Sequence, residues 1–221
     1  PMRTRLHEGD GEHVPAALSP DGKWLALEKS RTLSDSDVYL LELATGKMQH
    51  LTAHPGNASW KAATFDPASS ALYLLTNEGS EFMRVERHEL ATGKRERVGE
   101  PAWDVLSTAF SKRGALRVTR VNEDGRTTLQ VHDVKTGKPR SLPALPSGGI
   151  SDVALSRGGQ RMAFLADTDT APANLYVHDF ATRKSTRLTD ALGKTLDTKV
   201  LVASESVRFM SFDGLVIPAL L

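Results

Sequence analysis

Several features that often point to a function are scarce or missing in this sequence. Cysteine is absent, which excludes disulfides, thiolate metal sites and cysteine nucleophiles. No apolar run approaches the roughly 18 to 20 residues that cross a bilayer, so no membrane span is expected. Basic and acidic residues nearly balance, 28 against 27, whereas nucleic-acid binding usually requires a basic excess. We therefore expect packing alone to hold the fold, with neither membrane nor nucleic acid as a partner.

The rest of the composition is that of a globular chain. Hydrophobic residues make up 39% of the 221 residues, which is enough to bury a core. The first residues lack the apolar segment of a secretory signal, and a proline precedes the first methionine. We expect a piece of a longer protein, located in the cytoplasm, with the periplasm as the alternative.

Two turn motifs recur about every 45 residues and stay in phase with each other. The first resembles Ser-Pro-Asp-Gly and begins at Ser19, Asp66, Ser111 and Ser156. The second resembles Thr-Gly-Lys and begins at Thr45, Thr92, Thr136 and Thr182. Short apolar stretches lie between the turns, which is a strand pattern rather than a helical one. In the fourth copy Arg183 replaces the glycine, so this turn is expected to be strained or built differently.

A four-stranded unit repeated in tandem without helices is typical of β-propeller blades. We therefore predict an all-β fold, a β-propeller of about four four-stranded blades within residues 1–192. The blades are predicted at about 14–52, 60–99, 105–142 and 150–189, and residues 3–7 as the outer strand of a preceding blade. A different all-β meander or sandwich is the alternative.

Residues 193–221 break the repeat. The segment from Val207 to Leu221 predicts two strands around an Asp213-Gly214 turn. We interpret 193–221 as a linker and the first strands of a second domain that is cut short.

The blades, the stretch Leu74–Phe82 and above all the segment Glu205–Leu220 resemble the propeller domain of a prolyl oligopeptidase family serine peptidase. In that family the chain leaves the propeller at this point and enters an α/β-hydrolase domain. The resemblance implies a Ser-Asp-His peptidase whose propeller caps the active site and limits substrate size. Its partners would be peptide substrates and its own hydrolase domain. TolB-like propellers share the blade motifs, so a protein-binding module is the alternative.

The chain lacks the G-x-S-x-G motif that exposes a nucleophilic serine in hydrolases of this type. The resemblance therefore implies that the triad lies beyond Leu221. We expect no catalytic residue and no cofactor in this chain, which by itself should not hydrolyse peptides.

No metal site is predicted either. His88, His132 and His178 follow the blade period and are expected at equivalent, partly exposed third-strand positions, where they cannot converge on one ion. Two acidic pairs lack the third ligand and glycine of a calcium loop: Asp35 with Asp37, and Asp167 with Asp169. Another set of acids directly precedes the second turn and is predicted to cap it or pair with its lysine: Glu42, Glu89, Asp133 and Asp179.

Recognition is expected on the face that carries the variable loops, because variable loops on a rigid scaffold usually carry binding. The loops between second and third strands are predicted to be long: Ser30–Ser36, Asn77–Glu81, Asn122–Arg126 and Asp167–Ala173. Within them Glu78 and Glu81 are the candidate substrate-binding residues. Some members of the resembled family hold a substrate's amino terminus with propeller acids, and paired carboxylates suit an ammonium group.

The resemblance also predicts self-association. The family usually closes seven or eight blades into a ring, and four blades would leave apolar terminal faces uncovered. We expect a homodimer that completes a larger ring, or else a strained four-bladed closure.

Overall fold

The structure is a computed structural model that describes residues 5–6, 8, 12–99, 102–146 and 148–221. It divides into two units, residues 1–110 and 111–221, which are treated separately below. Apart from a short 3-10 helix at Thr198–Val200, the regular structure of the described ranges is β-strand. No helix in these ranges is long and apolar enough to cross a membrane.

Four antiparallel sheets of four strands follow one another along the chain, each with its strands paired in chain order. The first contains β1 (Val14–Leu18), β2 (Trp24–Ser30), β3 (Ser36–Glu42) and β4 (Met48–His50). The second contains β5 (Trp60–Phe65), β6 (Ala71–Thr76), β7 (Arg84–Glu89) and β8 (Arg95–Arg97). The third contains β9 (Asp104–Phe110), β10 (Leu116–Glu123), β11 (Arg126–Asp133) and β12 (Pro139–Arg140). The fourth contains β13 (Ile150–Leu155), β14 (Arg161–Thr168), β15 (Ala171–Asp179) and β16 (Lys184–Arg187). These sheets confirm the predicted all-β fold of four-stranded repeats.

The first turn motif of each repeat is held by its leading side chain. In three repeats the hydroxyl of a serine accepts a hydrogen bond, at 2.9 to 3.1 Å, from the backbone N–H of the first residue of the second strand. These serines are Ser19, Ser111 and Ser156. In the second repeat a carboxylate oxygen of Asp66 accepts from the Ala71 N–H at 3.1 Å. A short polar side chain at the turn's start thus ties its two strands together.

The acids before the second turn motif cap it, as predicted. The Thr45 hydroxyl donates to Glu42 at 2.6 Å, and Thr92 donates to Glu89 at 2.5 Å. The other two repeats use Asp133, which accepts from Thr136, and Asp179, which accepts from the backbone of Thr182.

Arg183 keeps the backbone conformation of the glycines that it replaces. Its φ is +57°, and the equivalent glycines of the other three repeats have φ between +68° and +72°. An L-residue in this left-handed region costs about 1–2 kcal/mol relative to a right-handed conformation. The strain predicted for the fourth turn is therefore present.

Each unit has its own buried apolar residues. In the first unit one cluster contains residues of β2 and β3 and of the connection between β4 and β5, packed with Trp60, Phe65, Leu72 and Leu74. In the second unit Phe164 and Met162 of β14 are inaccessible to solvent. Apolar side chains of the strands thus provide the core of each unit.

The chain ends in a hairpin of β17 (Ser206–Met210) and β18 (Val216–Leu220), which confirms the two strands predicted around Asp213-Gly214. Gly214 takes φ +84° in the turn. The assignment of 193–221 to a second domain stays a prediction. Residues 3, 4 and 7 lie outside the described residues, so the outer strand expected at 3–7 stays a prediction too. Arg5 and Leu6 are not in a strand.

Candidate binding face

Three segments of the first unit lie at the same end of their sheets and form what we call the loop face. They are residues 31–35 between β2 and β3, residues 51–59 between β4 and β5, and residues 77–83 between β6 and β7. They share one end because neighbouring strands run in opposite directions, so every second connection returns to it. This is the face on which the sequence places recognition.

Hydrogen bonds join the three segments side by side. The Ser36 N–H donates to the Ala58 carbonyl at 3.1 Å, and the Ser36 hydroxyl donates to the Trp60 carbonyl at 2.8 Å. The Ser59 N–H donates to the Asn77 side-chain oxygen at 2.8 Å. The middle segment is thus fixed to both of its neighbours, which makes the loop face a continuous surface.

The corresponding loops of the second unit are shorter than predicted. β10 and β11 are joined by Asp124 and Gly125 alone, and β14 and β15 by Asp169 and Thr170. Asp124 and Gly125 have φ of +57° and +78°, as the two-residue type I′ hairpin turn requires. The prediction of long variable loops at Asn122–Arg126 and Asp167–Ala173 is therefore wrong, because an Asp-Gly turn closes the first and the strands extend to a two-residue connection in the second.

Glu78 and Glu81 both lie in segment 77–83, on the loop face. Glu78 is half-buried and Glu81 is exposed. The Glu78 backbone N–H donates to the Thr76 hydroxyl at 3.0 Å, which fixes the start of the loop. Neither carboxylate makes a side-chain hydrogen bond or ion pair within the described part of the chain. Both are thus available to an external cation.

A charged network that the sequence reading did not recognise lies beside segment 51–59. The His54 side chain is 1% exposed, and its Nε2 lies 3.1 Å from an Asp35 carboxylate oxygen. Its Nδ1 lies 2.7 Å from the Thr52 carbonyl oxygen and 3.4 Å from Asp37 Oδ1. Arg31 donates to both carboxylates, and His50 Nε2 lies 2.8 Å from Asp37 Oδ1. Sequence reading treated Asp35 and Asp37 only as an incomplete calcium pair.

The network shifts the proton affinities of its members. The hydrogen bond to the Thr52 carbonyl and the two nearby carboxylates raise the pKa of His54 above its ordinary value, although desolvation opposes this. Desolvation raises the pKa of Asp37, but the hydrogen bonds and charges of His50, Thr52 and Arg31 outweigh it and leave that pKa lowered. The network therefore favours the charged forms of both groups.

Thr52 and Thr189 hold equivalent places after the fourth strands of the first and fourth sheets. The Thr52 hydroxyl accepts from the Val38 N–H at 2.8 Å and donates to Asp37 at 3.1 Å. The Thr189 hydroxyl accepts from the Leu175 N–H at 2.9 Å and donates to the Asn174 side-chain oxygen at 3.1 Å. The sequence feature that could have predicted this contact is the Leu-Thr pair that ends both repeats.

Two of the three histidines at the blade period are less exposed than predicted, and the third is partly exposed as expected. His88 and His178 are buried, at 5% and 0% exposure, and His132 is intermediate. They lie on β7, β11 and β15, where side chains alternate between faces, and the periodic spacing does not reveal which face packs against the core. Burial lowers the pKa of all three. Among the described residues no group of three or more His, Asp or Glu could hold a metal ion.

The second unit contains a cavity of about 480 Å³ between the β10–β11 turn and the segment before β13. Glu123 and Thr128 line it together with the apolar Leu142 and Pro146. Beside it, Arg126 and Asp169 both bind Ser204, at 3.0 and 2.8 Å from its hydroxyl oxygen. The volume lies in the range of small-ligand pockets, but none of the predicted site residues lines this cavity.

The chain is similar to known proteins in sequence profile and in fold. Residues 7–191 match the family described as prolyl oligopeptidase, N-terminal beta-propeller domain. The chain belongs to this family. The all-β sheets are therefore the blades of a β-propeller domain. None of the curated proteins compared with the sequence matches it.

Three solved structures show the shared fold. A prolyl endopeptidase is 22% identical with a TM-score of 0.74, over 91% of this chain and 29% of its own. A puromycin-hydrolysing peptidase of Mycobacterium tuberculosis is 16% identical with a TM-score of 0.78, over 98% of this chain and 34% of its own. TolB from Acinetobacter baumannii is 17% identical with a TM-score of 0.64, over 85% of this chain and 46% of its own. This propeller chain thus spans about a third of the peptidases' length.

Proposed function

We propose that this propeller belongs to a serine peptidase and controls which peptides reach a Ser-Asp-His site outside these 221 residues. The observation that carries the proposal is the family match over residues 7–191. The peptidases with the same fold are about three times as long, which leaves room for a catalytic domain. The chain itself contains no G-x-S-x-G motif, so catalysis would come from that domain.

The proposed mechanism is selection by access and by charge. A propeller over an active site admits only chains that fit past its loops, so short peptides react and folded proteins do not. On the loop face, the unpaired carboxylates of Glu78 and Glu81 would bind the ammonium group of a peptide's free amino terminus. Charge-assisted hydrogen bonds of this type are about twice as strong as neutral ones.

Hydrolysis of chromogenic aminoacyl and peptidyl substrates tests the proposal. The panel is run on this chain and, in parallel, on the polypeptide encoded by the whole gene. We expect the whole polypeptide to cleave and this chain to be inactive. Failure of both to cleave, or a gene that ends near Leu221, would contradict the proposal.

A second candidate function is that of a protein-binding module, which the likeness to TolB favours. In that case the loop face would contact another protein and no hydrolase domain would follow. The same two polypeptides distinguish the candidates, because a binding module remains inactive on every substrate whether or not the rest of the gene is present.

We also propose that the chain self-associates as a homodimer. Val14 and Leu18 on the edge strand β1 are 60% and 59% exposed, and exposed apolar groups of this kind favour association. Sedimentation should show a dimer that dissociates on dilution, and a monomer at all concentrations would contradict this.

A cytoplasmic location is a further proposal. Cell fractionation tests it, and recovery from the periplasm would contradict it.

A further inference from the structure

We propose that His54, in its doubly protonated form, is a latch that holds loop 31–35 against segment 51–59 and releases it when the imidazole loses a proton. The inference rests on the geometry of the first unit and does not depend on the proposed peptidase function. It concerns the same loop face that carries Glu78 and Glu81.

The two nitrogens of the buried ring both face oxygen atoms that can only accept hydrogen bonds. Nδ1 is 2.7 Å from the Thr52 carbonyl oxygen, and Nε2 is 3.1 Å from a carboxylate oxygen of Asp35. A neutral imidazole has one N–H and one lone pair, so it can satisfy only one of these contacts. Both contacts exist together only when both nitrogens carry protons.

The charges around the ring favour this form. Loop 31–35 contributes Asp35 and Arg31, and β3 contributes Asp37, whose Oδ1 is 3.4 Å from Nδ1. β4 contributes His50, which pairs with the same Asp37 oxygen. Two carboxylates thus face one arginine, so a charged His54 completes the neutralisation of a buried cluster. Nδ1 faces two oxygens, the Thr52 carbonyl at 2.7 Å and Asp37 at 3.4 Å, so a neutral ring keeps its proton on Nδ1. The lone pair on Nε2 then faces the Asp35 carboxylate without solvent access, which is unfavourable.

Loop 31–35 has few other attachments to segment 51–59. The N–H groups of Arg31 and Thr32 both donate to the Asp35 carbonyl, so these bonds close the loop on itself. At its C-terminal end Ser36 bonds to Ala58 and Trp60. Between these points the contact of His54 with Asp35 is the side-chain link from segment 51–59 to the loop. Leu33 at the loop tip is fully exposed and adds no packing.

NMR of the 221-residue chain tests the latch. At pH 6 both ring nitrogens of His54 should show directly bonded protons, and the ring should titrate with a midpoint above that of an ordinary histidine. Across that midpoint the loop exchange, measured at the Ser36 amide that donates to Ala58 of segment 51–59 and corrected for intrinsic pH dependence, should accelerate at least about tenfold, as expected for local opening. A singly protonated ring at pH 6, or equal corrected exchange at pH 6 and 9, would overturn the proposal.

Variants separate the latch from general stability. Asp35→Asn keeps the side-chain shape but removes the charge, so it should lower the His54 midpoint and leave loop exchange fast at pH 6. His54→Gln should make loop exchange fast at every pH. His132→Gln, in the second unit, is the matched control and should change neither the His54 titration nor the loop. If His54→Gln does not fold, the wild-type and Asp35→Asn titrations decide, and an unchanged midpoint in Asp35→Asn contradicts the latch.

Discussion

Thr52 and Thr189 make the same pair of hydrogen bonds in different surroundings. Thr52 is inaccessible to solvent and its acceptor is the charged Asp37, whereas Thr189 is exposed and its acceptor is the neutral Asn174. A buried group that loses its partner keeps the full desolvation penalty, while an exposed one regains water.

We therefore expect Thr52→Val to lower the free energy of unfolding by about 2–3 kcal/mol, because it leaves the buried Val38 N–H without a partner and removes one hydrogen bond from the charged Asp37, which keeps Arg31 and His50. Thr189→Val removes the equivalent bonds of an exposed threonine, and the buried Asn174 oxygen still accepts from the Ala191 N–H, so the cost should be less than about 1 kcal/mol. Urea denaturation of the two variants measures the difference. Equal costs would show that burial and charge do not decide the strength of this contact.

Arg183 offers a stabilising substitution. Arg183→Gly should raise the free energy of unfolding by about 0.5–1 kcal/mol, since glycine relieves the left-handed strain but loses more backbone entropy on folding. Gly137→Arg is the matched control in the third repeat, where an added Cβ meets no atom within 4 Å, so its cost comes from the backbone alone. The melting temperature and the urea midpoint should both rise in Arg183→Gly and both fall in Gly137→Arg. A loss of stability in Arg183→Gly would contradict the strain.

The buried histidines set the response to acid. His178 has a lowered pKa because of desolvation, so below its ordinary pKa of 6.5 the unfolded chain takes up a proton that the folded chain refuses. Stability from this group is therefore complete above pH 6.5 and is lost as the pH falls, by at most about 1.4 kcal/mol per pH unit. His54 has the opposite sign. Its raised pKa gives stability that is complete below pH 6.5 and is lost as the pH rises through the folded value.

His178→Gln should therefore flatten the fall in the free energy of unfolding between pH 7 and pH 5. His54→Gln should remove the loss of stability that accompanies a rise in pH from 6.5 through the folded pKa of His54, so the slope above pH 6.5 becomes more positive. Urea denaturation at several pH values measures both slopes. Slopes that change in the same direction in the two variants would contradict the assigned shifts.

At the residue scale, sequence reasoning succeeded where a feature repeats. The capping acids and the strained Arg183 were predicted because each could be compared with three equivalent positions. The network of Asp35, Asp37 and His54 was missed because its contacts join residues that occur once and lie far apart along the chain. The burial of His88 and His178 was missed because a period gives the position in a strand but not the packing of its faces.

At the scale of the elements, strands were easier to predict than loops. The turn motifs of the first repeat predict strands at about 14–18, 24–28, 38–43 and 48–52, and β1 to β4 agree with these bounds within about two residues. The predicted loops of the second unit were longer than the observed ones, because the flanking residues continue the strands up to a two-residue connection. The longer loops belong to the first unit, and the candidate site lies on one of them.

The carboxylates of segment 77–83 can be tested in the whole gene product. Glu78→Gln and Glu81→Gln should each raise KM about 5- to 100-fold for peptides with a free amino terminus, because a charge-assisted bond is worth roughly 1.5–3 kcal/mol in a favourable site and less when exposed. N-acylated peptides should be unaffected. Glu123→Gln, on the β10–β11 hairpin of the second unit, is the matched control and should change neither class. Equal KM values for wild type and both loop variants would remove Glu78 and Glu81 from the site.

At the scale of the whole molecule, the repeat identified the fold and the family but not the activity. A four-stranded unit repeated in phase has few structural solutions, so the propeller follows from the sequence alone. The chemistry does not, because these 221 residues contain no G-x-S-x-G motif from which a reaction could be predicted. What the described chain shows is four-stranded blades and, in the first unit, a loop face that carries the unpaired carboxylates of Glu78 and Glu81.

Control of access by size is the central claim, and a length series tests it most directly. The whole gene product is given peptides that share one scissile sequence and grow from a few residues to an unfolded protein, and kcat/KM is measured for each. We expect kcat/KM to fall by at least about tenfold beyond a limiting length, since longer chains do not pass the propeller. Equal kcat/KM for short peptides and the unfolded protein would show that the propeller does not restrict access and would contradict the account.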